Sequence, residues 1–316
     1  MSAGNPTESK RTHSRNLSLG IGAAVASMLL FSTMDATVKW LGAGYPVHQI
    51  MFFRCTLAFV PILVILFSTG GIAQLRTHQP GLQTLRSCLG VVAMGSAFYG
   101  FTTLPLADAS SVFYTAPMLA MAFSVPILGE QVGIRRWTAV AVCMIGVLVI
   151  ARPGGNVFNL GGLAMIVAAV AVGITSNVIR KLNRTDQAIA ITFYFTATGS
   201  VVTIIACLIW GWVPPRGMDW LILVSVGLLG GAAQYCLTLS FRFAAVSIIA
   251  PLKYFSIIIG GLLGFIVWSE VPDGLTMLGI TIIICSGIYS IHRETRLARD
   301  SDREAAAVKE AVPGHH

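Results

Sequence analysis

Residues 188–211 read AIAITFYFTATGSVVTIIACLIWG, twenty-four positions without one charged side chain, bounded by Asp186-Gln187 before and Val213-Pro214 after. An α-helix needs about 20 such residues to cross a hydrocarbon core of about 30 Å. The stretch is therefore a membrane span, and the same ruler applied outward predicts nine more. The ten predicted spans are 17–39, 47–69, 82–104, 107–128, 134–151, 160–180, 188–211, 218–240, 245–269 and 274–291. The loops between them are short and marked by Gly, Pro or charge, which leaves no room for a soluble domain.

Composition agrees with this reading. The 316 residues are 55% hydrophobic and 11% charged, with a mean hydropathy of +0.78, where a soluble domain carries roughly 25% charged residues. Of 34 charged side chains, 14 lie in 1–16 and 292–316, leaving 20 for the whole of the chain between those tails. So few charges cannot coat a soluble fold, which excludes a soluble enzyme, a nucleic-acid-binding module and a disordered chain. Cys55, Cys88, Cys143, Cys207, Cys236 and Cys285 stand singly in apolar stretches, with no metal-ligand spacing. No GxSxG, HExxH, Walker A or GxGxxG motif occurs. No enzyme activity, metal or cofactor is expected, and any transport runs on a gradient or by exchange rather than on ATP.

The formal net charge of +8 reads first as topology, because Lys and Arg collect in cytoplasmic loops. With the N-terminus inside, sixteen basic residues fall on the cytoplasmic side, among them Arg76, Arg86, Arg135, Arg180 and Arg242; only Arg152 and Arg216 fall on the other. Ten spans return the C-terminus to the cytoplasm. The expected class is an all-α integral protein of the bacterial inner membrane.

The chain also matches itself at an offset of 140. Tyr114 meets Tyr254, Glu130 meets Glu270, Phe53 meets Phe193, Phe101 meets Phe241, Thr56 meets Thr196, and Leu89-Gly90 meets Leu229-Gly230. The offset carries the first five spans onto the last five, and Pro117 and Pro251 serve with the two glutamates as markers of the repeat. The expected units are 17–151 and 157–292, flanked by tails at 1–16 and 293–316. Five is odd, so the second unit is inserted upside down, as in secondary transporters whose substrate site lies between the halves.

Ionisable groups inside spans are costly and mark candidate cavities. Asp35, Lys39, Arg54 and Lys253 stand out. Asp35 and Lys39 are four apart on one helix and are able to pair, or Lys39 reaches the interface while Asp35 caps the helix end. Pro251 frees a backbone carbonyl beside Lys253. Three cations against one carboxylate call for a substrate that supplies negative charge or a polarised carbonyl. Gln49, Asn177 and Gln234 add hydrogen bonding, and Tyr99, Tyr114, Tyr235 and Tyr254 add stacking surfaces, although helix–helix contact explains any single one as well. Glu130 and Glu270 read as closing short loops. Ser18–Gly22 and Gly260-Gly261 with Gly264 read as sites of close helix packing.

The segment from Ala107-Asp108-Ala109-Ser110-Ser111 through Tyr114-Thr115-Ala116-Pro117 to Gly129-Glu130, followed by Arg135-Arg136-Trp137 and Arg152-Pro153-Gly154, resembles EamA-type carriers of the drug/metabolite transporter superfamily. Ala250-Pro251-Leu252-Lys253-Tyr254 and Ser269-Glu270-Val271-Pro272 answer it in the second half. Met34-Asp35 with Lys39, and Phe52-Phe53-Arg54, are similar to riboflavin importers and S-adenosylmethionine uptake carriers. The resemblance implies a small-molecule partner within membrane lipid and no nucleic acid, with a homodimer as one assembly open to it. It favours riboflavin uptake, with S-adenosylmethionine uptake or export of amino acids and related metabolites as alternatives. A non-transporting scaffold would not need the buried charges.

Overall fold

A computed structural model describes residues 6–113, 115–129, 159–243, 255–271, 273–275, 277–282 and 284–285, and six positions between 138 and 149. Tyr114, Glu130, Pro251, Lys253, Tyr254, most of the fifth span and the C-terminal tail lie outside the described residues. The described α-helices are α1 (Pro6–Leu41), α2 (Val47–Thr69), α3 (Pro80–Thr103), α4 (Leu106–Phe113), α5 (Ala116–Leu128), α6 (Leu160–Leu182), α7 (Ala188–Trp210), α8 (Asp219–Phe243) and α9 (Phe255–Trp268). Among the described residues, five stretches are long and apolar enough to cross a membrane: Ser18–Leu41, α2, α6, α7 and α8. α1 starts at Pro6, so the helix runs back through the polar segment before the first apolar run.

Local signals explain the boundaries. Pro80 sits in the first turn of α3, where its missing N–H is no loss. The Asn159 side chain accepts from the Gly162 N–H at 3.0 Å and caps α6. The expected single span at 107–128 is two helices instead. Thr115 forms the turn between them, its N–H bonded to the Val112 carbonyl at 3.2 Å, and Pro117 lies in the first turn of α5. A proline there starts a helix well but cannot continue one, so the chain breaks just upstream of it.

The offset seen in the sequence recurs in the backbone. Both limits of α2 reappear in α7, one position beyond the sequence offset, and the end of α3 at Thr103 reappears in that of α8 at Phe243. Gly129, at φ +70°, ends α5 in the left-handed region. Ser269, its equivalent in the second half, ends α9 at φ +55°, although a serine pays a steric cost there that glycine does not.

The first three helices of each half, α1, α2 and α3 against α6, α7 and α8, run in opposite directions. The C-terminus of α1, the N-terminus of α2 and the N-terminus of α8 meet at one end of the bundle, here called the far end. Tyr45 donates to Asp219 at 2.6 Å there, and Gln49 is bonded to Val213. α6 starts at the same end, where Gly100 of α3 packs on Met165. At the near end, α3 starts beside the start of α7, with Gln83 donating to the Ala190 carbonyl at 3.2 Å. Thus α1 runs toward the far end and α6 away from it, and α2 and α7 are opposed in the same way.

Small residues let these helices touch. A Cβ on Gly227 would lie 2.4 Å from Leu57 Cβ, and one on Gly231 would lie 2.8 Å from the Ala58 backbone, so α8 meets α2 along a glycine stripe. The glycines expected to pack closely do not all do so. Gly22 and Gly261 have open space where a Cβ would be, and Gly264 meets only Glu270 and Leu106 at ordinary contact. Outside the bundle, Leu208, Ile209, Val64 and Phe67 are more than 60% exposed, an apolar surface suited to lipid rather than water.

Candidate functional site

Along the middle of the bundle lies a cavity of about 170 Å³, its described lining drawn from α1, α2, α3, α4, α6, α7, α8 and α9. Its walls are mostly apolar, with Phe31, Met34, Met94, Phe98, Phe101 and Phe113 prominent. Three pairs of lining residues are related by the offset of 140: Asp35 with Thr175, Met94 with Gln234, and Ala97 with Leu237. Equivalent positions from both halves therefore face one space.

Among the described residues, the charged groups lining this cavity are Asp35, Arg54 and Arg86. Both arginines are 2% exposed. The Arg54 Nη2 donates to the Gly230 carbonyl at 3.1 Å, while its Nη1 has no hydrogen-bond partner. Arg86 Nε and Nη1 also lack partners. The two guanidinium groups lie over one phenyl ring, that of Phe195, at 5.4 Å for Arg54 and 4.1 Å for Arg86. Cation–π attraction contributes up to about 2 kcal/mol when desolvated, which falls short of the several kcal/mol that burying an unpaired charge costs. Thr175 Oγ1, at the cavity wall, is likewise unpartnered. The site is built to hold more hydrogen-bond acceptor than the described residues supply.

Two glycines make room for the arginines. A Cβ on Gly230 would lie 2.9 Å from Arg54 Nε, and one on Gly90 would lie 2.8 Å from both Arg86 Nη1 and Phe195 Cε2. Gly90 and Gly230 are equivalent across the repeat.

Of the residues expected to line a site, the structure brings Asp35, Arg54 and Gln234 to the cavity. Lys39 is not paired with Asp35. Its ammonium donates to the Glu270 carboxylate and lies 5.0 Å from the Trp268 ring centre. Glu270 also accepts from the Leu106 N–H at 3.0 Å, at the start of α4, where a carboxylate suits the positive end of the helix dipole. Gln49 lies elsewhere, with Nε2 donating to the Val213 carbonyl at 2.7 Å and Oε1 accepting from the Val213 N–H at 2.9 Å. Asn177 donates to the Ala120 and Gly173 carbonyls at 2.7 and 3.0 Å and joins α6 to α5. Tyr99 is half-buried away from the cavity, and Tyr235 packs against the cluster around Ala58, Ile62 and Ile189. Arg86 and Phe195 are cavity residues that the sequence reading does not single out. Arg86 reads there as a cytoplasmic loop charge, but it lies in the second turn of α3 and is buried. The predicted span 82–104 already encloses position 86, and that is the signal that puts it inside.

Comparison with known proteins sets this architecture in context. The model of the EamA-like transporter family matches residues 18–152 and again 159–291. A protein named as a pseudopaline exporter of Pseudomonas aeruginosa is 30% identical over 275 residues, covering 86% of this chain and 95% of that one. One named as an S-adenosylmethionine uptake transporter of Rickettsia felis is 27% identical over 277 residues, with coverages of 88% and 94%. One named as a riboflavin transporter of Vibrio cholerae is 28% identical over 275 residues, with coverages of 86% and 92%. A crystal structure with 20% identity shares the fold at a TM-score of 0.68 over 89% of this chain and 99% of that one. With a family match over each half and full-length relatives of that kind, the chain belongs to the EamA-like transporter family.

Proposed function

We propose that this multi-pass protein of the bacterial inner membrane is a secondary transporter that moves a small organic metabolite through the cavity between its two halves. The observation that carries the reading is the convergence of equivalent residues, Asp35 with Thr175, Met94 with Gln234 and Ala97 with Leu237, on one partly polar cavity. A site on the axis relating two oppositely directed units is offered to either side of the membrane when one unit rocks against the other.

The lining residues run along the middle of the bundle, on α3 from Arg86, toward the near end, to Phe101, two residues before that helix's far-end terminus, and on α8 at Gln234 and Leu237. At the far end, Glu270 ties Lys39 of α1 to the start of α4. In this reading the far end is closed and the Lys39–Glu270 contact is part of the gate. The near end is the cytoplasmic end in the topology of ten spans with both termini inside, and the repeat units are 17–151 and 157–292.

Among specific substrates the residue resemblance favours riboflavin uptake. The relatives carry names for three different metabolites and for both directions of movement, so they support transport more strongly than any one cargo. Uptake of labelled riboflavin, challenged with S-adenosylmethionine and amino acids, in cells unable to make the vitamin tests the assignment. Uptake lost in both Arg54→Gln and Ala97→Phe, with the protein still in the membrane, is the expected result. Uptake unchanged by either variant overturns the use of this cavity.

A further inference from the structure

We propose that the cavity recognises the carboxylate of a small organic acid through Arg54 and Arg86, an inference that rests on the cavity being the transport site. Both guanidinium groups are 2% exposed, three of their nitrogens have no hydrogen-bond partner, and the cavity is the space they share. Guanidinium groups bind carboxylates by charge-assisted, often paired hydrogen bonds, and they discriminate strongly against a neutral analogue.

Charge selects the head group. Arg54 and Arg86 against Asp35 leave a formal surplus of one positive charge among the described lining residues. A carboxylate supplies one negative charge and balances it. Neutral riboflavin offers carbonyls to the guanidinium groups but leaves the charge uncompensated.

Shape selects the body. Phe31, Phe98, Phe101 and Phe113 form an apolar wall around the polar corner. The volume of about 170 Å³ lies below the roughly 300–1,000 Å³ of pockets for drug-sized ligands. The polar corner and its apolar wall thus suit a carboxylate carried on a partly apolar body. Both sides of the polar corner are seated by equivalent glycines, Gly230 for Arg54 and Gly90 for Arg86 with Phe195. The arginines therefore occupy space the fold reserves for them.

The test uses the full-length protein in nanodiscs and acid–amide pairs of equal shape: 3-phenylpropionate with 3-phenylpropionamide, and 4-methylpentanoate with its amide, beside riboflavin. Saturable shifts of the thermal midpoint report binding. The acids are expected to bind about tenfold or more tightly than their amides, with the preference lost in Arg54→Gln and Arg86→Gln and partly kept in Arg86→Lys. Equal binding of acid and amide, no binding of either acid, or an acid preference that survives both glutamine variants overturns the proposal. Ala97→Phe separates this failure from failure of the transport reading. If riboflavin binding is lost in Ala97→Phe and kept in both arginine variants, the cavity stands as the site and the carboxylate inference falls. If no ligand that binds responds to Ala97→Phe, the cavity itself is not the site.

Discussion

Gly90 and Gly230 are equivalent positions, one in each half, and each leaves open the space that an arginine side chain fills. Gly230 also supplies the carbonyl to which Arg54 donates. A methyl group at either position would fall under 3.0 Å from a guanidinium nitrogen, and overpacking of this kind costs typically about 1–3 kcal/mol. Gly230→Ala and Gly90→Ala are expected to reduce transport at least as much as they reduce the thermal midpoint. Transport at the original rate in both variants would show that the seats do not matter.

Gln49 provides the contrast. Both ends of its amide are bound to Val213, and it lies outside the cavity. Gln49→Leu is expected to destabilise the protein by about 1–3 kcal/mol, because the Val213 groups lose their partners. Substrate affinity should stay unchanged in the protein that remains folded, as a paired melt and binding assay will read.

A serine in the left-handed region is strained relative to glycine by roughly 1–2 kcal/mol. Ser269 is in that conformation at φ +55°, immediately before Glu270. Ser269→Gly should raise the thermal midpoint while keeping the Lys39–Glu270 contact and transport. A lowered midpoint would mean that the serine side chain contributes more than its backbone costs.

The near end contains an acid-sensitive clamp. Asp186 accepts from Thr77 Oγ1 at 2.5 Å and from the His78 N–H at 3.0 Å, joining the loop before α3 to the loop before α7. Burial alone would push its carboxyl up, but the bonds from Thr77, His78 and Thr185 outweigh this and hold it below the ordinary 3.8. The folded value is therefore depressed. Its stabilisation is fully present above about pH 4 and is lost as pH falls through the lower folded value. The midpoint difference between the unaltered protein and Asp186→Asn should shrink as pH falls below about 4. A difference that persists unchanged at about pH 3 would contradict the clamp.

Span positions are legible in the sequence because lipid demands long apolar helices, and the ends of α2, α3, α6 and α7 fall close to the predicted limits. Which way a polar residue faces is less legible. Helices apolar all round carry little facial signal, so Gln49 and Asn177 read as site residues although their amides bind backbone groups. Asp35 and Lys39 share a helix spacing that permits pairing, but Glu270, distant in sequence, takes the lysine. Arg86 reads as a loop charge because loop arithmetic sees only a basic residue near a span's end. Position 86 nonetheless falls inside the predicted span 82–104, and in the structure it lies buried in the second turn of α3.

The central claim is a cavity shared by the two halves and closed at the far end by Lys39 and Glu270. Thiol accessibility tests it without knowledge of the substrate. Ala97→Cys and Leu237→Cys, equivalent across the repeat, are placed singly in a cysteine-free background and treated with a membrane-impermeant thiol reagent in right-side-out and inside-out vesicles. Both positions are expected to react from the near-end side alone, and adding Glu270→Gln is expected to open them to reagent from the far side. Equal reaction from both sides with Lys39 and Glu270 intact, or no reaction at either position, would contradict the account.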